Sequence, residues 1–195
     1  MTPFPDFNFF IRLTMSASYF DEYSDRLASH LAQACVSASF LGSGILSSGD
    51  IDGKWNELAP DYFGDAVKEF NSYPEFALAC AGYLGIAVAH KWDEDWTAGS
   101  RSSYSDYQDA RGFDYMDEFI MDGIVKADAE GRKRLDDAMK LCSSCALSYL
   151  RHEAVEPQSV TAYKLVLATM AVMFRIGAAV ELYRLGYRME KVSFS

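Results

Sequence analysis

Residues 74–96, PEFALACAGYLGIAVAHKWDEDW, determine the architecture, because they are typical of a helix that a second helix can approach closely. Small side chains recur in this stretch every four residues, at Ala77, Ala81, Gly85 and Ala89. That period places them in one ridge along a helical face. Large apolar residues fill most of the remaining positions as far as His90, and a helix that is apolar all round is a buried one. The stretch therefore predicts a helix in the centre of the molecule.

Apolar residues spaced three and four apart predict further helices around this central one. The predicted helices cover residues 19–41, 60–71, 113–124, 135–150 and 157–186. No stretch alternates apolar and polar residues over a useful length, so no strand is predicted. We therefore predict an all-α fold: one domain, residues 1–195, built as a bundle of five or six helices. The central helix, about 74–96, is expected to pack on the long C-terminal helix, about 157–186.

Three stretches lack helical periodicity and predict irregular structure. Residues 1–17 are rich in phenylalanine and predict an aromatic N-terminal arm that lies across a groove of this domain or of a second copy. Residues 42–59 and 97–112 contain the glycine, serine and aspartate residues that favour turns, and they predict irregular connections. Pro60 is expected to open the helix that follows the first connection, because a proline in the first turn loses no intrahelical hydrogen bond.

The net charge and the length of the apolar stretches limit the partners. The chain has 18 basic and 28 acidic residues, a net charge of −10, which repels nucleic-acid phosphates and anionic lipid headgroups. A membrane span needs about 20 consecutive apolar residues. The stretch 76–89 is shorter than that, and Lys164 and Arg175 interrupt the C-terminal one. Neither a nucleic acid nor a membrane is therefore an expected partner.

The N-terminus and the cysteines favour the cytoplasm. Asp6, Asn8 and Arg12 interrupt the apolar residues that a secretory signal would need. The four cysteines all fall within predicted helices, so we expect reduced thiols rather than a disulfide scaffold. We find no glycine-rich phosphate loop, no nucleophile elbow and no zinc signature in the sequence, and we predict neither a cofactor nor a bound metal.

The charged end of the central helix is one candidate ligand site. A helix places His90 on the same side as Asp93 and Glu94 one turn later, as a metal-binding pair or a base with its orienting carboxylate requires. Trp92 and Trp96 flank these residues. The other interpretation is a helix end that leaves the core, where the charges are solvated and the tryptophans pack on neighbouring elements.

Arg175 is the second candidate, because it interrupts an apolar run at residues 173–177. A guanidinium in such surroundings must find a carboxylate, carbonyl oxygens or water. It is suited to recognise a carboxylate or phosphate of a ligand, and the alternative is a structural ion pair with another helix. Together, His90, Asp93 and Arg175 would form the pocket of a small-molecule or metal-dependent enzyme.

A third candidate is the pair Cys142 and Cys145, which two serines separate. Glu130 precedes Cys142 with eleven residues between them. This spacing resembles the motif of the alkylhydroperoxidase D-like family of helical thiol peroxidases, and the resemblance implies thiol redox chemistry at the two cysteines. The histidine of that motif would stand at position 149, where this chain has Tyr149. Both cysteines also lie on the apolar stripe of their helix, and the alternative is that they are small core residues.

From these observations we expect a cytoplasmic binding or protein-interaction module rather than an enzyme. The aromatic arm and an excess of apolar helix surface favour self-association, with a homodimer as the expected form. The partner, a protein or a small molecule, is left open. The alternatives are an enzyme with a pocket at His90, Asp93 and Arg175, and a thiol redox protein that uses Cys142 and Cys145.

Overall fold

The computed structural model describes the backbone of residues 7–189 and the side chains of residues 19–189. Within that range the chain forms six α-helices and no strand. The helices are α1 (Phe7–Ser37), α2 (Gly49–Phe70), α3 (Pro74–Gly99), α4 (Met116–Phe119), α5 (Ala129–Arg151) and α6 (Val160–Arg184). A π-helix, Ile120–Val125, follows α4 directly, and two 3₁₀ turns, Tyr104–Tyr107 and Phe113–Tyr115, precede α4. The predicted all-α bundle is confirmed.

The predicted packing of the central helix on the C-terminal helix is also confirmed, and it is a contact between two backbones. A Cβ atom added to Gly85 would overlap the carbonyl oxygen of Phe174, and one added to Gly177 would overlap that of Gly82. We call this contact, formed by Gly82, Gly85 and Gly177, the glycine seam. The alanines of the predicted ridge, Ala77, Ala81 and Ala89, are completely buried.

Helices α3 and α6 run in the same direction. Gly82 lies against Gly177, and His90, further along α3, lies against Glu181, further along α6. Around this pair, α2 packs on α3, while α1 and α5 pack on α6 and on each other. The carboxyl-terminal turns of α3 and α6 therefore meet at one end of the bundle.

The first helix begins earlier than the sequence predicted. Its backbone is helical from Phe7, whereas the periodicity predicted a start at residue 19 and an aromatic arm over residues 1–17. Residues 7–18 contain neither proline nor glycine, so no strong helix breaker stops the helix there. From Phe7 onward the predicted arm is thus a continuation of α1, and residues 1–6 lie outside the described residues.

The second helix also begins earlier, at Gly49 rather than at Pro60. The hydroxyl of Ser48 accepts a hydrogen bond from the backbone nitrogen of Asp50, which caps the first turn. The predicted connection 42–59 is therefore irregular only as far as this cap. Pro60 lies inside α2 at an exposed position, so water can hydrate the carbonyl that loses its donor there.

Helix α3 continues to Gly99, three residues into the predicted connection 97–112. Asp95 has a non-helical backbone, with φ −160° and ψ 93°, and it marks a kink. Its carboxylate accepts a hydrogen bond from the backbone nitrogen of Ala98 at 3.2 Å, so the kinked residue caps the final turn. The predicted helix over residues 113–124 is divided into a 3₁₀ turn, α4 and the π-helix.

Helix α6 is long and apolar enough to cross a membrane by length and composition alone, and it is the one such helix among those that the structure describes. In its most apolar 18-residue window, 72% of the residues are buried inside the protein. The core helix of a soluble protein passes the same test of length and composition. The buried part of α6 includes Gly177, which forms the glycine seam with α3.

Candidate functional site

A histidine and a buried carboxylate face each other where the carboxyl ends of α3 and α6 meet. Nδ1 of His90 lies 2.8 Å from Oε1 of Glu181. Glu181 is completely buried, whereas the side chain of His90 is 12% exposed. The glycine seam brings the two helix backbones close enough for these side chains to meet directly.

Arg184 completes this ionic cluster from the next turn of α6. Its Nε donates to Oε2 of Glu181 and its Nη2 donates to Oε1, both at 2.6 Å. Burial raises the pKa of Glu181, but the hydrogen bonds from Arg184 and His90 outweigh it and hold that pKa below its ordinary value. Glu181 is therefore an ionised carboxylate with both oxygens occupied.

The ionised carboxylate fixes the role of each imidazole nitrogen. A carboxylate can only accept hydrogen bonds, so Nδ1 of His90 must carry a proton and donate a hydrogen bond to Glu181. In the neutral imidazole, Nε2 is then the nitrogen with the free lone pair. Nε2 lies 3.9 Å from Oε1 of Glu94, too far for a hydrogen bond. It is therefore free to act as a base or an acceptor.

A cleft of about 330 Å³ lies beside His90, between α3 and the π-helix. Its lining residues are His90, Lys91, Glu94, Gly123, Ile124, Val125 and Lys126. The backbone nitrogen of Lys126 donates to the carbonyl of Met121, five residues earlier, which closes the π-helix. Short π-helical segments are rare in proteins and are found frequently at functional sites.

Two lysines and one glutamate set the charge of the cleft. Lys91 is partly buried: its Nζ donates to Oγ of Ser102 at 3.1 Å and lies 4.5 Å from the centre of the Tyr107 ring. Burial lowers the pKa of Lys91, and Asp106 opposes this shift. Lys126 is exposed at the end of the π-helix. Ser102 and Tyr107 do not line the cleft, so the Lys91 ammonium is engaged outside it, and the exposed Lys126 supplies the ammonium group that can receive a small anion.

The structure does not bring His90 together with Asp93 and Arg175. Asp93 points elsewhere and accepts a hydrogen bond from the Tyr187 hydroxyl at 2.8 Å, and Trp92 packs on the Tyr187 ring. Arg175 does not line the His90 cleft, and its buried Nε has no hydrogen-bond partner among the described residues. Of the residues that the sequence placed in this candidate site, His90 and Glu94 line the cleft, and Trp92, Asp93 and Arg175 do not.

Trp96 lies in the last turns of α3, where its backbone carbonyl accepts a hydrogen bond from the Ser100 nitrogen. It does not line the His90 cleft. Lys91, Lys126, Glu181 and Arg184 are the site residues that the sequence did not single out. A signal existed for Glu181, because it interrupts an apolar helix as Arg175 does.

The cysteine motif lies on α5, and neither of its cysteines lines the His90 cleft. Cys142 is completely buried, and its Sγ contacts Sγ of Cys35 on α1 at 3.2 Å. The hydrogen bond with Cys35, followed by burial, raises the pKa of Cys142. Cys145 is partly buried and lines a separate cleft of about 430 Å³. Glu130 lies exposed in the first turn of α5.

An apolar groove of about 580 Å³ lies where α3 and α6 begin and where α2 and α5 end. Its apolar lining residues include Phe70, Pro74, Leu147, Tyr163 and Val166. Arg151 and Glu153 are the charged residues of its lining. This groove and the His90 cleft therefore lie at opposite ends of the α3 and α6 pair.

Comparisons with protein-family models, with curated proteins and with solved structures find no match to this chain. In the residues described by the structure, no group of three or more histidine, cysteine, aspartate or glutamate side chains is arranged to hold a metal ion. The oriented imidazole of His90, beside a cleft that Lys91 and Lys126 line, is the arrangement that bears most directly on function.

Proposed function

We propose that the protein binds a small anionic molecule in the cleft beside His90, and that Nε2 of His90 accepts a proton from it. The contact between His90 Nδ1 and the wholly buried Glu181 supports this proposal most strongly. A carboxylate behind an imidazole is the arrangement that orients a histidine base and stabilises its protonated form.

The polar groups of the cleft support an anionic ligand. Lys126 supplies an exposed ammonium group on the lining, Lys91 adds positive charge from its hydrogen bond with Ser102 outside the cleft, and Glu94 supplies one negative charge. A carboxylate or a phosphate is the group that ammonium donors recognise. The volume of about 330 Å³ lies at the lower end of the range for small-molecule sites, so the proposed ligand is a small one.

Titration with inorganic phosphate and with malonate, followed by NMR of the labelled histidine side chains, tests the proposal. Both probes should shift the His90 resonances, and Lys126→Gln should weaken binding about tenfold, since one charge-assisted contact is lost. Lys133→Gln is the matched control, because Lys133 lies on α5, outside the lining of the cleft.

The proposal is wrong if neither probe shifts the His90 resonances at millimolar concentration. Equal affinities of the wild type and Lys126→Gln would also contradict it, because the cleft would then contribute nothing to binding. In that case the His90 cluster would be a purely structural link between α3 and α6.

We propose, as a second function, that a second copy of the chain covers the apolar groove at the opposite end. Tyr163 lines this groove and is 48% exposed, and Val160, one turn earlier on α6, is 73% exposed. Large exposed apolar side chains around a groove are typical of an interaction surface.

Light scattering at micromolar concentrations should give a dimer mass, and Tyr163→Glu should give a monomer. A monomer mass for the wild type at every concentration would contradict self-association.

A further inference from the structure

Two sulfur atoms meet inside the bundle, between α1 and α5. The Sγ atoms of Cys35 and Cys142 lie 3.2 Å apart, and both residues are completely buried. They are 107 positions apart in the sequence, so the fold brings them together. Sulfur atoms at this separation need to approach by only about 1 Å to reach the length of a disulfide bond.

A third cysteine connects this buried pair to the solvent. Cys145 lies on α5 one turn after Cys142, and it is only partly buried. It lines the cleft of about 430 Å³ together with His30, Tyr149 and His152. Side chains three positions apart on a helix are neighbours, with Cβ atoms about 5 to 6 Å apart. A reagent that enters this cleft therefore meets Cys145 before it meets Cys142.

The fourth cysteine provides an internal contrast. Cys80 on α3 is also completely buried, but no sulfur contact joins it to the other described cysteines. Burial alone therefore does not pair cysteines in this core. The pairing of Cys35 with Cys142 is specific to the place where α1 crosses α5.

We propose that Cys35 and Cys142 form a reversible disulfide, and that a small disulfide compound oxidises them by way of Cys145. This site is separate from the anion cleft at His90, so it does not depend on the proposed function. It also differs from a bond within the Cys142 and Cys145 motif, because the final bond joins two helices.

The oxidation proceeds by three thiol–disulfide exchanges. The Cys145 thiolate attacks the small disulfide, breaks its S–S bond and releases one small thiolate. The Cys142 thiol then attacks the Cys145 sulfur, and its proton passes to the departing sulfur, which leaves as the second small thiol. Finally, Cys35 attacks the Cys142 sulfur and releases Cys145. In sum, the thiols of Cys35 and Cys142 lose two electrons and two protons, and the small disulfide is reduced to two thiols.

Incubation of the reduced native protein with oxidised glutathione tests this proposal. Remaining thiols are alkylated after denaturation, and the peptides are mapped by mass spectrometry. We expect a Cys35–Cys142 bond, free Cys80 and Cys145, and no retained glutathione. Because the new bond closes a long loop, the apparent Tm should rise by about 5 °C or more.

Two variants separate the steps. Cys145→Ser should form the same bond at least tenfold more slowly, because the exposed thiol is missing. Cys80→Ala is the matched control and should oxidise at the wild-type rate. A map that shows four free thiols, only a Cys142–Cys145 bond, or glutathione held on Cys145 beside a free Cys35 would overturn the proposal. Equal rates for Cys145→Ser and the wild type would overturn the route through Cys145.

Discussion

Helices α3 and α6 meet twice along their length, and the two contacts use opposite chemistry. In the glycine seam, Gly82, Gly85 and Gly177 bring the backbones together without any side chain between them. At the carboxyl ends, His90 and Glu181 meet through a charged hydrogen bond. The seam is closed on all sides, whereas the ionic cluster adjoins an open cleft. The seam therefore sets the distance between the two helices. The ionic cluster, which adjoins an open cleft, is the part of the contact that can take part in ligand binding.

The largest effect is expected in the seam. Gly177→Ala places a methyl group against the carbonyl of Gly82, and only a backbone shift can relieve the overlap. The free energy of unfolding should fall by about 4 kcal/mol or more, as measured by chemical denaturation.

Gly64→Ala is the control for the seam, since a Cβ atom at Gly64 in α2 meets no other atom within 4 Å. It should stabilise the protein by about 0.5 to 1 kcal/mol, because alanine is the better helix former. If both variants had the same stability, the two backbones would not be in contact at the seam.

The next largest effect is expected in the ionic cluster. Arg184→Met removes both guanidinium hydrogen bonds from buried Glu181, and the free energy of unfolding should fall by about 3 kcal/mol. Lys133→Met, which breaks the exposed pair with Asp137, should leave it nearly unchanged because solvent screens that pair. A similar change in unfolding free energy for these two variants would mean that the ion pair between Glu181 and Arg184 is solvated.

A smaller effect is expected on how the unfolding free energy of Glu181→Gln, relative to the wild type, depends on pH. Because the pKa of Glu181 in the folded protein lies below its ordinary value of 4.5, its ionised form stabilises the protein above that pH. This contribution is lost as the pH falls through the folded pKa. The difference in unfolding free energy between the wild type and Glu181→Gln should therefore shrink from neutral pH to about pH 3. A difference that stayed constant over this range would contradict an ionised, hydrogen-bonded Glu181.

The smallest effect on stability is expected at the edge of the cleft. Lys126 is exposed and forms no ion pair with any described residue, so Lys126→Gln should change the free energy of unfolding by less than about 0.5 kcal/mol. The same variant is the one expected to weaken phosphate binding. A large loss of stability would assign Lys126 to the fold instead of the site.

The seam illustrates how much of the fold is predictable from the sequence. Small residues every four positions predict a close helix contact from local spacing alone, and the structure confirms that α3 packs on α6. Of the four predicted ridge residues, Gly85 lies in the backbone contact, which also uses Gly82, a residue outside the ridge. The beginning of α2 was harder, because glycines near residue 49 obscured the cap at Ser48. Residues 7–17 were predicted as an arm because they lack periodicity, although no residue there stops a helix.

The candidate site was less predictable, since it depends on the rotation of α6 about its axis. Arg175 and Glu181 both interrupt the apolar helix, and the sequence alone does not say which of them faces α3. The structure pairs His90 with Glu181 and leaves Arg175 outside the cleft. Lys126 reaches the site through the π-helix, a local irregularity that no pattern in the sequence indicates.

The protonation state of His90 in the free protein is the most direct test of a histidine base at this site. Long-range ¹H–¹⁵N NMR at mildly alkaline pH distinguishes a neutral imidazole protonated at Nδ1 from one protonated at Nε2. We expect protonation at Nδ1, because Glu181 accepts a hydrogen bond from that N–H group. In Glu181→Gln, this preference for Nδ1 over Nε2 should change. A neutral His90 protonated at Nε2 in the wild type would contradict the proposed role, because the nitrogen beside the cleft would then be a donor and not a base.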